Sequence, residues 1–208
     1  MSEDVSITPK QYDMIADIMQ KTLEMLVVNK PVNDIFNALC TLAESVLPNA
    51  AASIMMIESS SGLLSVKCAP SIPPVGRQAL EKLQPGPYSG ASGNAVFCNE
   101  AQYVQNTFED ERGKNLRQVA YDFNLCSCWS TPIRNEDNEA IGTFALSSFE
   151  HRAPAAFHKK LLETCSSIVS IVLKRQRRES RLQLLSTGLN NATEGVVVTD
   201  KNNHITEI

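Results

Sequence analysis

Six cysteines are the side chains of this 208-residue chain best suited to thiol or metal chemistry. Cys126 and Cys128 are two residues apart in a segment that reads as a strand, so their side chains point to the same face. No second thiol or histidine pair lies near them in the sequence to complete the ligand set of a structural zinc. Cys98 and Cys126 could form a redox pair, but free cysteine is commonly a small buried hydrophobic residue. We therefore expect reduced thiols, no bound metal and no catalytic cysteine.

Candidate acids and bases are few. His151 and His158 lie around the start of a C-terminal helix and His204 lies in a polar turn, which favours surface positions over the roles of a base or a haem ligand. The charged stretch 110–112 could form an acid site, but adjacent charges on a polar loop need only solvent. The glycine-rich segment 86–93 lacks the lysine and hydroxyl pair of a phosphate-binding loop. These patterns predict that the chain is not an enzyme.

The composition is typical of a globular chain that works in the cytoplasm. Hydrophobic residues make up 43% of the sequence, which is ample for a packed core. No run of about twenty apolar residues occurs, and the N-terminus lacks the basic start and apolar stretch of a signal peptide. The formal net charge of −4 leaves no basic surplus of the kind that nucleic-acid binders carry. We expect neither a membrane span nor a nucleic acid partner.

Helical periodicity occurs at both ends of the chain. Thr8, Pro9 and Gln11 form a capping signal at the start of a first helix. A second helix is expected over 31–47, and a last one begins after Pro154. The first and last helices each carry a heptad-like apolar stripe, which predicts a partner helix. The stripes are Tyr12, Ile15, Met19 and Leu26 in the first helix, and Leu161, Cys165, Ile168 and Val172 in the last.

The middle of the chain predicts an antiparallel sheet. Apolar runs bounded by turn residues read as strands, and two segments between them keep helical character. The expected strands are 53–58, 63–69 and a third built from 95–98 with 101–104. The expected short helices lie between 71 and 83 and over 115–123, so that they cover one face of the sheet.

Residues 125–146, which read LCSCWSTPIRNEDNEAIGTFAL, are two apolar arms around the polar connector 134–139. This is the pattern of a β-hairpin. It resembles the last two strands of a GAF domain, in a bacterial subset that reads ACWSTPI and then GTFAL. The matching residues run from Cys128 to Ile133 and from Gly142 to Leu146. Segments 51–58, 63–73 and 86–97 follow the order used by the same family, so the resemblance extends over 31–175.

The resemblance implies an α/β (α+β) fold with a central antiparallel sheet. The N- and C-terminal helices would lie on one face of the sheet, and the pocket loops on the other. Trp129 either packs under the helices or closes a ligand cavity. The candidate pocket residues are Phe97, Tyr121, Phe123, Cys128, Trp129, Ser130 and Thr131. The ligand is a small molecule of unknown identity, and no cofactor is required.

The last segment, 186–208, resembles the opening of a PAS domain, with a strand at 195–199 and a tight turn. We therefore expect a signalling helix over 1–30, a GAF sensor domain over 31–175, a helical linker over 176–185, and the start of a PAS domain. Proteins of this kind carry histidine kinase, diguanylate cyclase or cyclic-di-GMP phosphodiesterase outputs, which implies a bacterial sensor. Two alternatives remain: a thiol-dependent enzyme similar to free methionine sulfoxide reductases, and a ligand-free dimerisation spacer.

The two apolar stripes predict a parallel homodimer through the first and last helices, because together they offer more apolar area than one sheet face requires. Light scattering at micromolar concentration should give the mass of a dimer. Replacing Ile15 and Met19 by Glu is expected to shift that dimer toward monomer, since it places charge in the seam. A monomer mass for the unchanged chain would contradict the prediction.

Overall fold

The computed structural model describes residues 6–190, 198–199 and 205–207. Its helices are α1 Pro9–Val27, α2 Val32–Ser45, α3 Pro74–Ala79, α4 Gly90–Cys98, α5 Arg117–Asp122 and α6 Ala156–Asn190, with a 3₁₀ helix at Glu111–Leu116. Its strands are β1 Ala50–Ile57, β2 Leu64–Cys68, β3 Gln102–Val104, β4 Ser127–Arg134, β5 Ala140–Ser148, β6 Val198–Thr199 and β7 Ile205–Glu207. The chain forms two compact units, one ending at Val172 and one beginning at Leu173.

The first unit is built on a five-stranded antiparallel sheet with the order β2-β1-β5-β4-β3. The predicted hairpin is confirmed as β4 and β5, and β5 also pairs with β1 at the centre of the sheet. The loop between the arms is closed by the Asn135 side chain, whose Oδ1 accepts from the backbone N–H groups of Asp137 and Glu139. The mixed α+β fold with a central antiparallel sheet is therefore as expected.

Near the centre of the sheet, the central strands present large side chains on one face and mainly small ones on the other. Residues paired directly across neighbouring strands lie on the same face of the sheet. Ile54 of β1, Phe144 of β5 and Thr131 of β4 form one such row, and Leu146 of β5 pairs with Trp129 of β4 in the next row on that face. Of these, the four large apolar side chains are at most 1% exposed. The opposite face carries Ser53, Ala145, Ser130, Ser147 and Cys128. We call these the helix face and the small-residue face.

Trp129 joins the helix face of the sheet to the start of α6. Its ring is fully buried and stacks on the imidazole of His158, with 5.0 Å between ring centroids. The guanidinium of Arg152 lies 5.6 Å from the indole centroid, and the backbone N–H of Ala155 donates to Nδ1 of His158 at 2.9 Å. Of the two roles open for Trp129, packing under the helices is the one observed.

Helix α1 begins at the predicted capping signal. The backbone N–H of Gln11 donates to Oγ1 of Thr8 at 3.3 Å, and the backbone N–H of Thr8 donates to Oε1 of Gln11 at 2.9 Å. Pro9 occupies the first helical position, where its missing N–H costs no hydrogen bond. Ile15, Ile18 and Thr22 form the buried side of the helix. No described helix has an apolar stretch that could cross a bilayer.

The predicted dimer stripes are largely buried within a single chain. On α1, Ile15 is 5% exposed, whereas Tyr12 and Met19 are 53% and 40% exposed, and Leu26 is half-buried. The α6 stripe is at most 2% exposed throughout: Leu161, Cys165, Ile168 and Val172. Those four residues fill the chain's own core and are not available to a second copy. A charge at Ile15 would likewise disrupt the core, so the dimer, which stays a prediction, needs other residues.

The segment predicted as strand 95–98 is the end of helix α4, so that prediction is wrong. A short apolar run fits either a strand or a buried helix turn, and its period alone does not distinguish them. Asn99, with φ of 52°, ends the helix in the left-handed conformation that asparagine tolerates. The strand expected at 101–104 is present as β3. The stretch 115–123 is helical as predicted, in the 3₁₀ helix and α5.

The second unit contains the remainder of α6 and a two-stranded antiparallel sheet of β6 and β7. Val198 is opposite Glu207, and Thr199 is opposite Ile205. These pairs lie where the sequence predicts a strand, a tight turn and a second strand. Residues 195–197 of the predicted strand and the turn 200–204 lie outside the described residues.

The contact between His158 and Trp129 predicts a pH dependence of stability. Burial, and secondarily the charge of Arg152, lower the pKa of His158 below its ordinary value. The unfolded chain then binds a proton more readily than the folded one, so the free energy of unfolding should fall as pH drops below about 6.5. Urea denaturation at pH 7.5 and 5.5 measures this loss, which His158→Gln should reduce.

His151→Gln is the matched control, because the His151 imidazole contacts the carbonyl of Cys126 and the ring of Phe108, whereas His158 stacks on Trp129. This variant should keep the loss of stability that depends on His158. Equal pH dependence in the wild type and in His158→Gln would show that the imidazole of His158 is not held in its neutral form.

Candidate functional site: a cavity under helix α4

A cavity of about 70 Å³ lies between the small-residue face of the sheet and the segments that cover it. Its floor includes Ser53 and Met55 of β1, Cys128 of β4 and Ser147 of β5. Its cover comes from α4, the 3₁₀ helix, α5 and the loops around them. The covering residues include Ala91, Ser92, Leu83, Leu116, Val119 and Leu125. The walls are therefore mostly apolar, with a few hydroxyl groups.

The cavity exists because small side chains meet across it. Ser53 and Ser147 on the floor face a layer whose nearest helix begins with Gly90, Ala91 and Ser92. Gly90 has a φ of 65°, and a Cβ at this position would lie 2.9 Å from Cδ1 of Leu116. Glycine thus allows the tight turn into α4 and the close approach of the 3₁₀ helix.

The polar groups of the cavity are neutral. Oγ1 of Thr107 donates to the carbonyl oxygen of Leu125, and the backbone N–H of Thr107 donates to the carbonyl of Cys126 at 3.0 Å. The hydroxyl of Ser147 donates to Sγ of Cys128 at 3.5 Å, while burial raises the pKa of the Cys128 thiol. None of the described residues that line the cavity carries a charge. The site therefore suits an uncharged molecule.

An ion pair braces the loop that closes the cavity. Arg112 donates from Nε and Nη2 to the two carboxylate oxygens of Asp110, at 2.9 and 2.7 Å, and it also contacts Oε1 of Gln102 and the carbonyl of Tyr103. The guanidinium holds the pKa of Asp110 below its usual value. These contacts fix the 3₁₀ helix to β3, so the stretch 110–112 has a structural role and does not resemble an acid site.

Of the predicted pocket residues, Cys128 alone lines the cavity. Phe97 and Tyr121 are 59% and 54% exposed, and Phe123 packs against Gly76 of α3. Trp129 and Thr131 point to the helix face. Ser130 is on the small-residue face, opposite Ala145, but it does not reach the cavity. The predicted pocket is therefore corrected to a cavity without aromatic side chains among its described lining residues.

One sequence signal, the alternation of side chains along strands, could have located part of the missed site. Strand alternation places Ser147 beside Cys128 and Ser53 beside Ala145, which would have identified the floor. The cover was missed because Ala91 and Ser92 lie at the start of a segment read as a turn leading to a strand. Large aromatic residues suggested a pocket, yet here their size places them in the core or on the surface.

Cys98 and Cys126, the redox pair suggested by the sequence, do not meet at the cavity. The thiol of Cys98 contacts Oδ1 of Asn94 at 3.3 Å, and the thiol of Cys126 contacts the carbonyl of Asn124 at 3.6 Å. Neither residue lines the cavity. Within the described ranges there is no group of three or more His, Cys, Asp or Glu residues that could hold a metal ion.

A family model described as a GAF domain matches residues 29–174. A curated relative, the methyl sulfide methyltransferase-associated sensor of Methanosarcina acetivorans, is 22% identical over 163 residues. That match covers 78% of this chain and 16% of the relative, so the chain spans about a sixth of the relative's length.

Solved structures share the fold. A domain of a protein described as a two-component sensor histidine kinase, from Sinorhizobium meliloti 1021, has a TM-score of 0.62 at 15% identity, over 74% of this chain and 99% of that one. The reduced form of fRMsr from Staphylococcus aureus has a TM-score of 0.61 at 17% identity, over 76% of this chain and 94% of that one. At these identities the likeness concerns the fold alone.

Proposed function

The chain belongs to the GAF domain family, and we propose that it is the sensor module of a larger signal-transduction protein. The observation that carries this proposal is the cavity without charged lining residues on the small-residue face of the sheet. A protein core is normally packed with few voids larger than a water molecule. A cavity of about 70 Å³ is unusual in this respect and is consistent with a binding site. The name of the Methanosarcina relative, a sensor, supports the same role.

The proposed ligand is a small, neutral and largely apolar molecule. Anionic ligands such as nucleotides need cationic side chains or arrays of backbone N–H groups, and no described lining residue is Lys or Arg. The volume is about half that of an apolar cavity known to hold benzene, roughly 150 Å³. The hydroxyl groups of Ser53 and Ser92 offer one or two polar contacts that would orient the ligand.

The signal is proposed to pass through the sheet from the cavity to α6. Cys128 lines the cavity, and the next residue of the same strand, Trp129, stacks on His158 near the start of α6. A ligand that binds one arrangement of this strand better than another would shift the population of α6 positions. Helix α6 is continuous from Ala156 to Asn190 and so extends well beyond the end of the first unit at Val172.

A homodimer is part of the same proposal, with a seam corrected by the structure. Tyr12 and Met19 of α1 and Ile171 of α6 are 53%, 40% and 48% exposed, and we take these three of the exposed apolar residues on the two helices as candidates for the seam. Single exposed apolar residues are common on protein surfaces. The seam is therefore tested by charge substitution at Tyr12 and Met19, which leaves the buried Ile15 in place.

The rest of the protein is proposed by analogy. We infer that the ACWSTPI and GTFAL arms place the domain in the bacterial subset named above, that 186–208 begins a PAS domain, and that the output is a histidine kinase, diguanylate cyclase or cyclic-di-GMP phosphodiesterase in the cytoplasm. The likeness to a domain of a protein described as a sensor histidine kinase supports the first of these outputs.

Thiol-dependent catalysis is the second candidate function, favoured by the structural likeness to fRMsr. Against it, the thiol that lines the cavity is Cys128, whose pKa is raised by burial, and the cavity has no histidine or carboxylate among its described lining residues to act as a base. Turnover of methionine sulfoxide with a thiol reductant would favour the enzyme over the sensor.

Filling the cavity should block ligand binding without unfolding the domain. Ala91 lies on α4 with its side chain in the cavity wall, so Ala91→Leu adds three carbons where space exists. We expect small neutral fragments to bind the unchanged chain in ligand-detected NMR, and anionic fragments of equal size not to bind. Ala91→Leu should weaken neutral-fragment binding at least about tenfold, which is roughly 1.4 kcal/mol.

Ala79→Leu is the matched control, because Ala79 is an exposed residue at the end of α3 that does not line the cavity. It should bind the neutral fragments as the unchanged chain does. Unchanged binding of neutral fragments to Ala91→Leu would show that the ligand does not bind in the cavity. A chain that binds no neutral fragment would instead support the ligand-free spacer.

A further inference from the structure

Two thiols outside the cavity lie side by side between a helix and the edge of the sheet. Cys40 is fully buried on α2, and Cys68 is the last residue of the edge strand β2, where it is partly exposed. Their side chains interact directly with each other. The register explains the contact: Cys68 is opposite Ile54, whose side chain belongs to the helix face on which α2 packs. Neither residue lines the cavity, so this pair is separate from the proposed sensor site.

Hydrogen bonds of Glu44 join the elements that carry the two thiols. Glu44 is one helical turn after Cys40, and its Oε1 accepts from the backbone N–H of Ala52 in β1 at 2.8 Å. Its Oε2 accepts from the hydroxyl of Ser71 at 2.7 Å, three residues after Cys68. One carboxylate thus fastens α2 both to the sheet and to the segment that leaves β2.

We propose that Cys40 and Cys68 form a reversible disulfide modification site whose oxidant is a hydroperoxide. The thiolate of Cys68 attacks the peroxide O–O bond, giving a sulfenic acid on Cys68 and releasing water, or an alcohol from an organic peroxide. The thiol of Cys40 then attacks the sulfenic sulfur, the S–S bond forms, and the hydroxyl leaves with the Cys40 proton as a second water. Two thiols lose two hydrogens and one peroxide is reduced, so the step balances.

The surroundings assign the two roles. Cys68 is reachable from solvent, and the interaction with Cys40, helped by the charge of Arg77, lowers the pKa of its thiol. The contact with Cys68 and its burial raise the pKa of Cys40, as do the nearby Cys165 and Glu44, and its burial away from solvent suits Cys40 to the role of resolving thiol. A partly exposed thiol with a lowered pKa beside a resolving cysteine is the arrangement that peroxide-sensitive pairs require. Cys165 approaches Cys40 from α6 but is fully buried, which keeps oxidant from it.

Peptide mapping of the whole chain tests the proposal. The folded protein is treated with a slight molar excess of hydrogen peroxide, free thiols are alkylated, and the digest is analysed by mass spectrometry. We expect one main cross-linked product, the Cys40 peptide joined to the Cys68 peptide with the loss of two hydrogens, and its disappearance after dithiothreitol. The exposed Cys98, which lies beside no second thiol in the described structure, serves as the internal control for simple oxidation.

Variants separate the steps. Cys40→Ala removes the resolving thiol, so dimedone should trap a sulfenic acid on Cys68, whereas Cys165→Ala should still form the Cys40–Cys68 link. Peroxide that modifies Cys98 while Cys40 and Cys68 both remain open to alkylation would overturn the proposal, and so would a main link from Cys40 to Cys165. The result for the unchanged chain decides the question even if a variant folds poorly. A failed ligand test would leave this outcome untouched, since the two sites share no described residue.

Discussion

The structure depends on the burial of the three central strands on two unlike surfaces. Around Phe144 and Trp129, large residues of β1, β5 and β4 pack against helices, and the residues that alternate with them are mainly small and meet α4 and the loops. Burying a side chain the size of Phe144 or Leu146 contributes about 1.5–3 kcal/mol, so the helix face supplies much of the stability. The small-residue face contributes less, and that is where the cavity lies. A one-residue slip in strand register would exchange the two faces, so that both the packing against the helices and the cavity would be lost.

This asymmetry also separates binding from transmission. The proposed ligand site and the start of α6 lie on opposite faces of the same sheet, and strand β4 contacts both of them. Adjacent residues of β4 point in opposite directions, so a ligand beside Cys128 is one residue from the indole that contacts His158. The proposed signal therefore needs no long pathway through the core. It needs a strand that can take two positions, and the cavity under α4 lies next to that strand on one side.

Sequence predicted the fold well, because hairpins, caps and helical stripes are local. Residues 125–146 marked β4 and β5, and the Thr8 and Gln11 signal marked the start of α1. Sequence did not predict the cover of the cavity, since the four residues 95–98 are too few for their period to distinguish a strand from the end of α4. An apolar stripe shows that a helix face is buried but not by what, which is why Leu161 and Val172 looked like a dimer seam.

The pocket prediction failed for a related reason. Aromatic residues near the hairpin were assigned to a cavity by size and proximity, yet Trp129 fills the core and Phe97 lies on the surface. A cavity needs missing volume, and missing volume is marked by serine, alanine and glycine, which sequence patterns leave ambiguous. Only the pairing of strands shows that Ser53, Ser147 and Cys128 meet at the same place.

The central claim is that the small-residue face lines a mostly apolar cavity able to hold a small uncharged molecule. Xenon-pressurised crystals of the chain test it most directly, because apolar cavities bind xenon and hydrated polar ones do not. The account predicts a xenon atom inside the cavity, in contact with Met55, Leu125 and Ala91. Ordered waters that fill the same space, or no xenon there at a pressure that loads other apolar sites, would contradict it.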